Sequence, residues 1–130
     1  MMVRYVVLMD GSDPSFRALE YARERTEDVI AVYLIDARAF KGLNEEMARA
    51  LREFMRQEAS LIEELVRREY GARFEVVEGE GPEAVMEFAK EAGADAVVVG
   101  VGSVPGFEKI TLRRGIEECV RDVPVILVPG

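Results

Sequence analysis

The stretch FEVVEGEGPEAVMEFAKEAGADAVVVG, which runs from Phe74 to Gly100, decides the fold. It opens with a short apolar segment of strand character. A segment of helical spacing follows, with Pro82 near its start and Gly93 as its stop. The stretch ends in ADAVVVG, where the unbroken run Val97 to Val99 is typical of a strand covered on both faces. The order strand, helix, strand predicts a βαβ unit with parallel strands.

The same alternation continues on both sides of this unit. Further strands are predicted at Val3 to Met9, Asp28 to Ile35 and Val123 to Pro129. Further helices are predicted at Pro14 to Arg25, from a cap at Asn44 to about Tyr70, and from about Lys109 to Arg121. Strands that alternate with helices from end to end predict one α/β domain, a doubly wound five-stranded parallel sheet with helices on both faces. Right-handed crossovers then favour the strand order 3-2-1-4-5.

The long helix carries apolar side chains at roughly helical spacing, set against a charged outer face. The apolar positions are Met47, Leu51, Phe54, Leu61, Ile62 and Leu65. The outer face offers three acid–base pairs in the favourable i,i+4 orientation, namely Glu45–Arg49, Glu63–Arg67 and Glu64–Arg68. We interpret these charges as a solvated helix face.

Length and composition limit the classes of function. A chain of 130 residues with 49% hydrophobic and 32% charged residues fits one globular domain. Its net charge of −8 argues against nucleic acid and against an anionic membrane surface as partners. The apolar runs fall short of the ~18 residues that a membrane span needs, and the N-terminal run is too short for a signal peptide. The single cysteine forms no intrachain disulfide, so we expect a cytoplasmic protein.

The chain has no histidine, and this absence excludes Ser-His-Asp and Cys-His catalysis and the usual histidine-bearing zinc sites. We predict no metal site and no catalytic residue. Cys119 lies among apolar residues of the last predicted helix and is interpreted as a buried structural thiol. Asn44 and Gln57 are the only side-chain amides, and with the dense Glu and Arg they favour a thermophilic source.

The predicted topology places a ligand site outside the carboxyl ends of strands one and four, where the winding direction of the chain reverses. Strand four runs into Gly100, Gly102 and Gly106, glycines that would let backbone N–H groups approach a phosphate. Their spacing is not that of the dinucleotide fingerprint, so plain turn glycines are an equal alternative.

Two aspartates end predicted strands. Asp10 would either recognise donor groups of a ligand or cap the following helix, although Ser12 or Asp13 is the better cap. Asp36 ends the second strand, where a solvated strand end is the simpler interpretation and contact with a ribose is the alternative.

Taken together, these segments resemble the universal stress protein family. The similarity covers essentially the whole chain: VVLMDGSDPSFRALEYA resembles the family's first strand, turn and helix, and AVYLIDAR its second strand. The stretch from Phe74 to Gly100 resembles its third strand, helix and fourth strand, and VPVILVP its closing strand. The resemblance implies the fold of universal stress proteins and related adenine-nucleotide hydrolases, and ATP or another adenine nucleotide as a cofactor.

The resemblance also assigns residues. In nucleotide-binding members the adenine is held by an aspartate after the first strand and by backbone near the end of the second, here Asp10 and approximately Leu34. Ribose and phosphates are held by Gly-x2-Gly-x9-Gly-Ser/Thr after the fourth strand. Counted from Gly100, the later motif positions fall on Ser103, Arg113 and Arg114.

The motif is thus kept at one glycine and changed at three positions, although Gly106 and Phe107 still match the middle of the loop. Ser103 keeps its backbone N–H, so it is a mild change. Arg113 places a long side chain where the family uses a close backbone approach. The two arginines would either obstruct the phosphate site, or pair with phosphate oxygens, or lie on a solvated helix face.

Three functions follow from the resemblance. The first is a non-enzymatic regulatory module for stress responses whose degraded loop binds ATP weakly or in an altered manner. The second is a dimeric interaction protein without nucleotide. The third, an adenylyltransferase or ATP pyrophosphatase, is disfavoured. The characteristic histidines of the adenylyltransferases are absent, and DGSDPS has only a distant similarity to the glycine-rich loop of the ATP pyrophosphatases. A homodimer through the closing strand, Val123 to Val128, is expected because apolar edge strands must be covered.

Overall fold

The computed structural model of the protein describes residues 2–102 and 123–129. Its strands form one sheet in the order β3-β2-β1-β4-β5, and all four pairings are parallel. The strands are β1 (Arg4–Met9), β2 (Asp28–Asp36), β3 (Arg73–Gly79), β4 (Ala96–Gly100) and β5 (Val125–Val128). The doubly wound parallel sheet predicted from the alternation of segments is confirmed, including its strand order.

Three helices of the described chain cover the two faces of this sheet. They are α1 (Asp13–Arg25), α2 (Glu45–Leu65) and α3 (Pro82–Glu91). Helices α1 and α2 pack on one face, and α3 packs on the other. A 3₁₀ turn (Ala37–Phe40) precedes α2, and a π turn (Val66–Tyr70) extends it. The last predicted helix, Lys109 to Arg121 with Cys119, lies outside the described residues.

The helix boundaries follow the capping chemistry of the sequence. Ser12 caps α1, because its hydroxyl oxygen accepts a hydrogen bond from the N–H of Ser15 at 3.3 Å. Asn44 caps α2 in the same way, accepting from the N–H of Met47 at 2.8 Å. Gly93 follows α3 with a φ of 68°, the left-handed conformation that ends many helices.

The buried face of α2 differs from the predicted one. Ile62 is only 4% exposed and packs with its helix neighbours Ala59 and Val66 against the sheet, whereas Phe54 is 62% and Leu61 66% exposed. Met47, Phe54 and Leu61 are spaced by seven residues, so they form a line along the helix beside the sheet-facing line. Both lines have helical periodicity, and only packing against the sheet selects one of them.

The predicted charge pairs of α2 are confirmed in part. Arg67 lies 2.8 Å from Glu63 and Arg68 lies 3.3 Å from Glu64. No ion pair joins Glu45 to Arg49 within the part of the chain that the structure describes. Exposed pairs of this kind contribute less than about 1 kcal/mol each, so either arrangement is compatible with a stable helix.

Candidate functional site

The carboxyl ends of β1 and β4 lie side by side. The two strands pair in parallel up to Val7 opposite Val98, so Asp10 and Gly100 follow at the same edge of the sheet. Strand β2 pairs with the opposite side of β1, and Met9 of β1 is opposite Tyr33 of β2. Asp10 and Leu34 are the next residues along these two segments. The structure therefore brings Asp10, Leu34 and the Gly100–Gly102 turn to one edge. The remaining predicted site residues, Ser103, Gly106, Arg113 and Arg114, lie outside the described residues.

Asp10 organises the turn between β1 and α1. Its Oδ1 accepts hydrogen bonds from the Ser12 hydroxyl and, at 2.9 Å, from the Ser12 N–H. Ser12 in turn caps α1, so the helix start is tied to the end of the strand. The other carboxylate oxygen of Asp10, Oδ2, accepts no hydrogen bond from any described residue. One carboxylate oxygen therefore shapes the turn, and the other has no donor among the described residues.

The glycine that ends β4 and the glycine two residues later are needed for different reasons. A Cβ atom at Gly100 would stand 2.0 Å from the carbonyl oxygen of Pro14, so this position must be glycine for α1 to pack against the strand end. A Cβ atom at Gly102 would have no atom of the described residues within 4 Å, but its φ of 92° is a conformation that residues with a side chain rarely adopt. Packing and turn geometry thus account for both glycines, whether or not a phosphate also approaches them.

Asp36 has a role that the sequence did not indicate. Its carboxylate accepts hydrogen bonds from the N–H of Gly81 at 3.1 Å and from the N–H of Arg38 at 3.0 Å. The Arg38 guanidinium forms a further charge pair with it at 2.6 Å. Hydrogen bonding by that guanidinium is the main cause that holds the pKa of Asp36 below its usual value. Asp36 therefore joins the end of β2 to the start of α3.

A buried tyrosine and a glutamate were missed by the sequence reasoning. The hydroxyl of Tyr33, a residue only 3% exposed, donates a hydrogen bond to Oε1 of Glu58 at 2.8 Å. Burial is the main cause that raises the pKa of Tyr33, and the hydrogen bond to Glu58 and the charge of nearby Asp10 add to it. The sequence contains one signal for this contact. Within the apolar strand Val29 to Ile35, Tyr33 is the one residue whose side chain ends in a polar group, and a buried hydroxyl needs a hydrogen-bond partner.

The described residues hold no cluster of three or more acidic, histidine or cysteine side chains that would bind a metal ion. Within the same residues, the helices are too short or too polar to cross a membrane.

Comparison with known proteins agrees with the fold class and the sheet order. The model of the universal stress protein family matches residues 1–129. Universal stress protein MJ0531 of Methanocaldococcus jannaschii is 29% identical over an alignment of 137 positions, which covers 96% of this chain and 81% of that protein. The solved structure of hypothetical protein MJ0577 superposes with a TM-score of 0.75 at 23% identity, covering 100% of this chain and 97% of its own.

Two further structures of the same fold contain adenine nucleotides. A universal stress protein in complex with cAMP has a TM-score of 0.63 at 19% identity and covers 98% of this chain and 97% of its own. A family protein from Arabidopsis thaliana with AMP bound has a TM-score of 0.60 at 16% identity, covering 98% of this chain and 91% of its own. Because the family model spans nearly every residue and the fold agrees with it, this chain belongs to the universal stress protein family.

Proposed function

We propose that this stress-response protein is a non-enzymatic regulatory module that binds adenine nucleotides weakly and discriminates against ATP. The observation that carries the proposal is the meeting of Asp10, Leu34 and the Gly100–Gly102 turn at one edge of the sheet. The sequence that follows Gly102 has arginines at the later motif positions. The edge supplies the elements for adenine recognition. The loop lacks the glycine and the hydroxyl residue that a triphosphate would need.

Adenine recognition at this edge is supported by the free oxygen of Asp10. Oδ1 is occupied by Ser12, and Oδ2 accepts no hydrogen bond from the described chain, so an exocyclic amine would find an acceptor there. The backbone of β2 at Leu34 is close to Asp10 through the Met9–Tyr33 pairing. The cAMP and AMP complexes of relatives support an adenine nucleotide as the ligand class.

Discrimination against ATP is supported by Arg113 and Arg114. A guanidinium side chain at the glycine position would occupy space that the β- and γ-phosphates need. AMP carries one phosphate and requires less of that space. We therefore expect AMP to bind more tightly than ATP, and we expect no ATP hydrolysis above the uncatalysed rate.

The competing hypothesis is that the protein binds ATP and that Arg113 and Arg114 form hydrogen bonds with the phosphates. Guanidinium groups pair bidentately with phosphate oxygens, so this alternative rests on the same two residues. It predicts the opposite order of affinities, with ATP above AMP. It also predicts a steeper loss of ATP affinity with added salt.

Isothermal titration calorimetry on the wild type and on an Arg113→Gly, Arg114→Ser variant separates the two functions. Under obstruction, the variant gains ATP affinity. If the arginines grip phosphate, it loses about 1.5–3 kcal/mol for each charged hydrogen bond removed. An Arg68→Ser variant, which removes only surface contacts with Glu64 and Glu69, is the matched control. Tight ATP binding by the wild type, or phosphate release from ATP that the variant abolishes, would contradict the proposal.

A further inference from the structure

A cleft lies between α2 and the edge strand β3, and its lining residues do not include Asp10, Leu34 or the Gly100–Gly102 turn. Its volume is about 500 Å³, which is within the range of small-molecule sites. Ile35, Ala59 and Val76 supply its apolar surface, and Arg56 and Ser60 line it from α2. Val76 is 47% exposed although it belongs to the sheet, because α2 does not cover this part of β3. The cleft thus offers apolar surface that the fold leaves open.

The charges around the cleft are unevenly compensated. Glu78 pairs with Arg52, and Glu63 pairs with Arg67 at 2.8 Å. Arg56 also lines the cleft, but it forms no ion pair or hydrogen bond with any residue in 2–102 or 123–129. Each glutamate thus has an arginine partner that does not line the cleft, whereas Arg56 has no ion-pair partner among the described residues.

Arg56 and Ser60 lie four residues apart on α2, so their side chains project from the same side of the helix. A guanidinium binds a carboxylate through two parallel N–H donors, and a neighbouring hydroxyl supplies a third. Ala59, between them in sequence, is 3% exposed and forms part of the apolar floor. A carboxylate bound by Arg56 would thus lie directly beside an apolar surface of the protein.

We propose that this cleft is a binding site for a small amphipathic carboxylate. Its carboxylate pairs with Arg56 and accepts a hydrogen bond from the Ser60 hydroxyl, and its apolar chain covers Ile35, Ala59 and Val76. A cationic ligand is disfavoured because it would face Arg56 while both glutamates already have partners. A purely polar anion is disfavoured because it would leave the apolar floor in water. The site does not depend on nucleotide binding, since it uses neither Asp10 nor the glycine turn.

The probe for this site is octanoate, with octanol and octylammonium as neutral and cationic molecules of the same chain length. Binding is followed by amide chemical shifts in two-dimensional NMR spectra of the 130-residue chain. We expect octanoate to shift resonances of residues 56–63 and 76–78, and the other two probes to bind at least tenfold more weakly. Equal binding of all three, shifts confined to other residues, or no binding of octanoate at millimolar concentration would overturn the proposal.

Variants of α2 separate the charge from the apolar floor. Arg56→Gln is expected to weaken octanoate binding by about ten- to a hundredfold, the effect of losing hydrogen bonds to a charged group. Arg56→Lys should restore part of it. Arg49→Gln, which changes an arginine of the same helix that does not line the cleft, should leave the affinity unchanged. Unchanged binding by a folded Arg56→Gln protein would also overturn the proposal, whatever the outcome of the ATP titrations.

Discussion

The carbonyl oxygen of Pro14 lies so close to Gly100 that a Cβ atom added to Gly100 would stand only 2.0 Å away from it. Pro14 is in the first turn of α1 and Gly100 is the last residue of β4. Both partners in this contact are backbone, so no side-chain rotation relieves it. The absence of a side chain at residue 100 therefore sets how closely α1 approaches the strand end that forms the candidate site.

Replacing Gly100 with alanine should destabilise the protein by about 3 kcal/mol, the upper part of the range for overpacked positions. The measurement is urea denaturation followed by circular dichroism. Gly42→Ala is the matched control, because Gly42 has a φ of 80° but no atom of residues 2–102 or 123–129 lies within 4 Å of the added carbon. It should cost only about 1–2 kcal/mol, from backbone strain alone. Equal losses in the two variants would show that close packing at Gly100 is not the cause.

The fold was predictable because its signals are local and repeated. The run Val97 to Val99 indicates a strand buried on both faces, and parallel strands joined by helices allow few topologies. Ser12, Asn44 and Gly93 mark helix ends through contacts with residues next to them in the chain. Such contacts are formed wherever the helix packs, so the sequence alone specifies them.

The roles that escaped prediction depend on residues far apart in the chain. The carboxylate of Asp36 reaches the N–H of Gly81, which is 45 positions later. The hydroxyl of Tyr33 reaches Glu58, 25 positions later. The buried face of α2 was wrongly predicted at Phe54 and Leu61 for the same reason, since only the sheet beneath the helix decides which apolar line faces inward.

The Asp36 contacts predict a specific dependence of stability on pH. Asp36→Asn keeps an acceptor for the N–H of Gly81 but loses the charge pair with Arg38, so we expect it to lower the free energy of unfolding by about 1 kcal/mol at pH 7. The pKa of Asp36 is lowered in the folded protein. Its contribution is therefore present above the unfolded value of about 3.9 and disappears as pH falls through the folded value.

Urea denaturation of the wild type and of Asp36→Asn at pH 7 and at pH 3 tests this dependence. The stability difference between the two proteins should shrink at the lower pH. Glu64→Gln, which removes an exposed pair with Arg68, serves as control and should change stability by less than about 0.5 kcal/mol at either pH. A difference for Asp36→Asn that is the same at both pH values would rule out the charge pair as its origin.

The Tyr33–Glu58 pair predicts behaviour at alkaline pH. Because burial raises the pKa of Tyr33, its neutral form stabilises the folded state fully below the unfolded pKa of about 10, and this stabilisation is lost as pH rises above it. Tyr33→Phe should cost about 1 kcal/mol at pH 7, since it removes the donor to partly buried Glu58. The variant should then lose less stability than the wild type between pH 9 and pH 11.

Denaturation across that pH range, with absorbance titration of the tyrosines, measures the effect. Tyr33→Phe should remove the tyrosine that ionises at the highest pH. The control is Tyr21→Phe, because Tyr21 is partly exposed and its ring is in contact with the guanidinium of Arg25 rather than with a carboxylate. A wild-type protein in which all tyrosines ionise together near pH 10 would contradict the assignment.

The position of β5 leads to the last prediction. This strand pairs with β4 on one side and is the last in the sheet order, and Leu127 is 36% exposed there. We propose that a second copy of the chain covers this edge. A Val125→Lys, Leu127→Lys double variant should be monomeric, but Val125 packs against the core on the α3 side, so Leu127→Lys alone is the better test of a folded protein.

Light scattering should give a dimer for the wild type and a monomer for Leu127→Lys, with an unchanged circular dichroism spectrum. The matched control is Val76→Lys, which places the same charge on the opposite edge strand at a position 47% exposed, and it should remain dimeric. Since a lysine on the interface would have to be desolvated twice in a symmetric dimer, the effect of Leu127→Lys should be large. A monomeric wild type, or an unchanged dimer in folded Leu127→Lys, would show that β5 is not the interface.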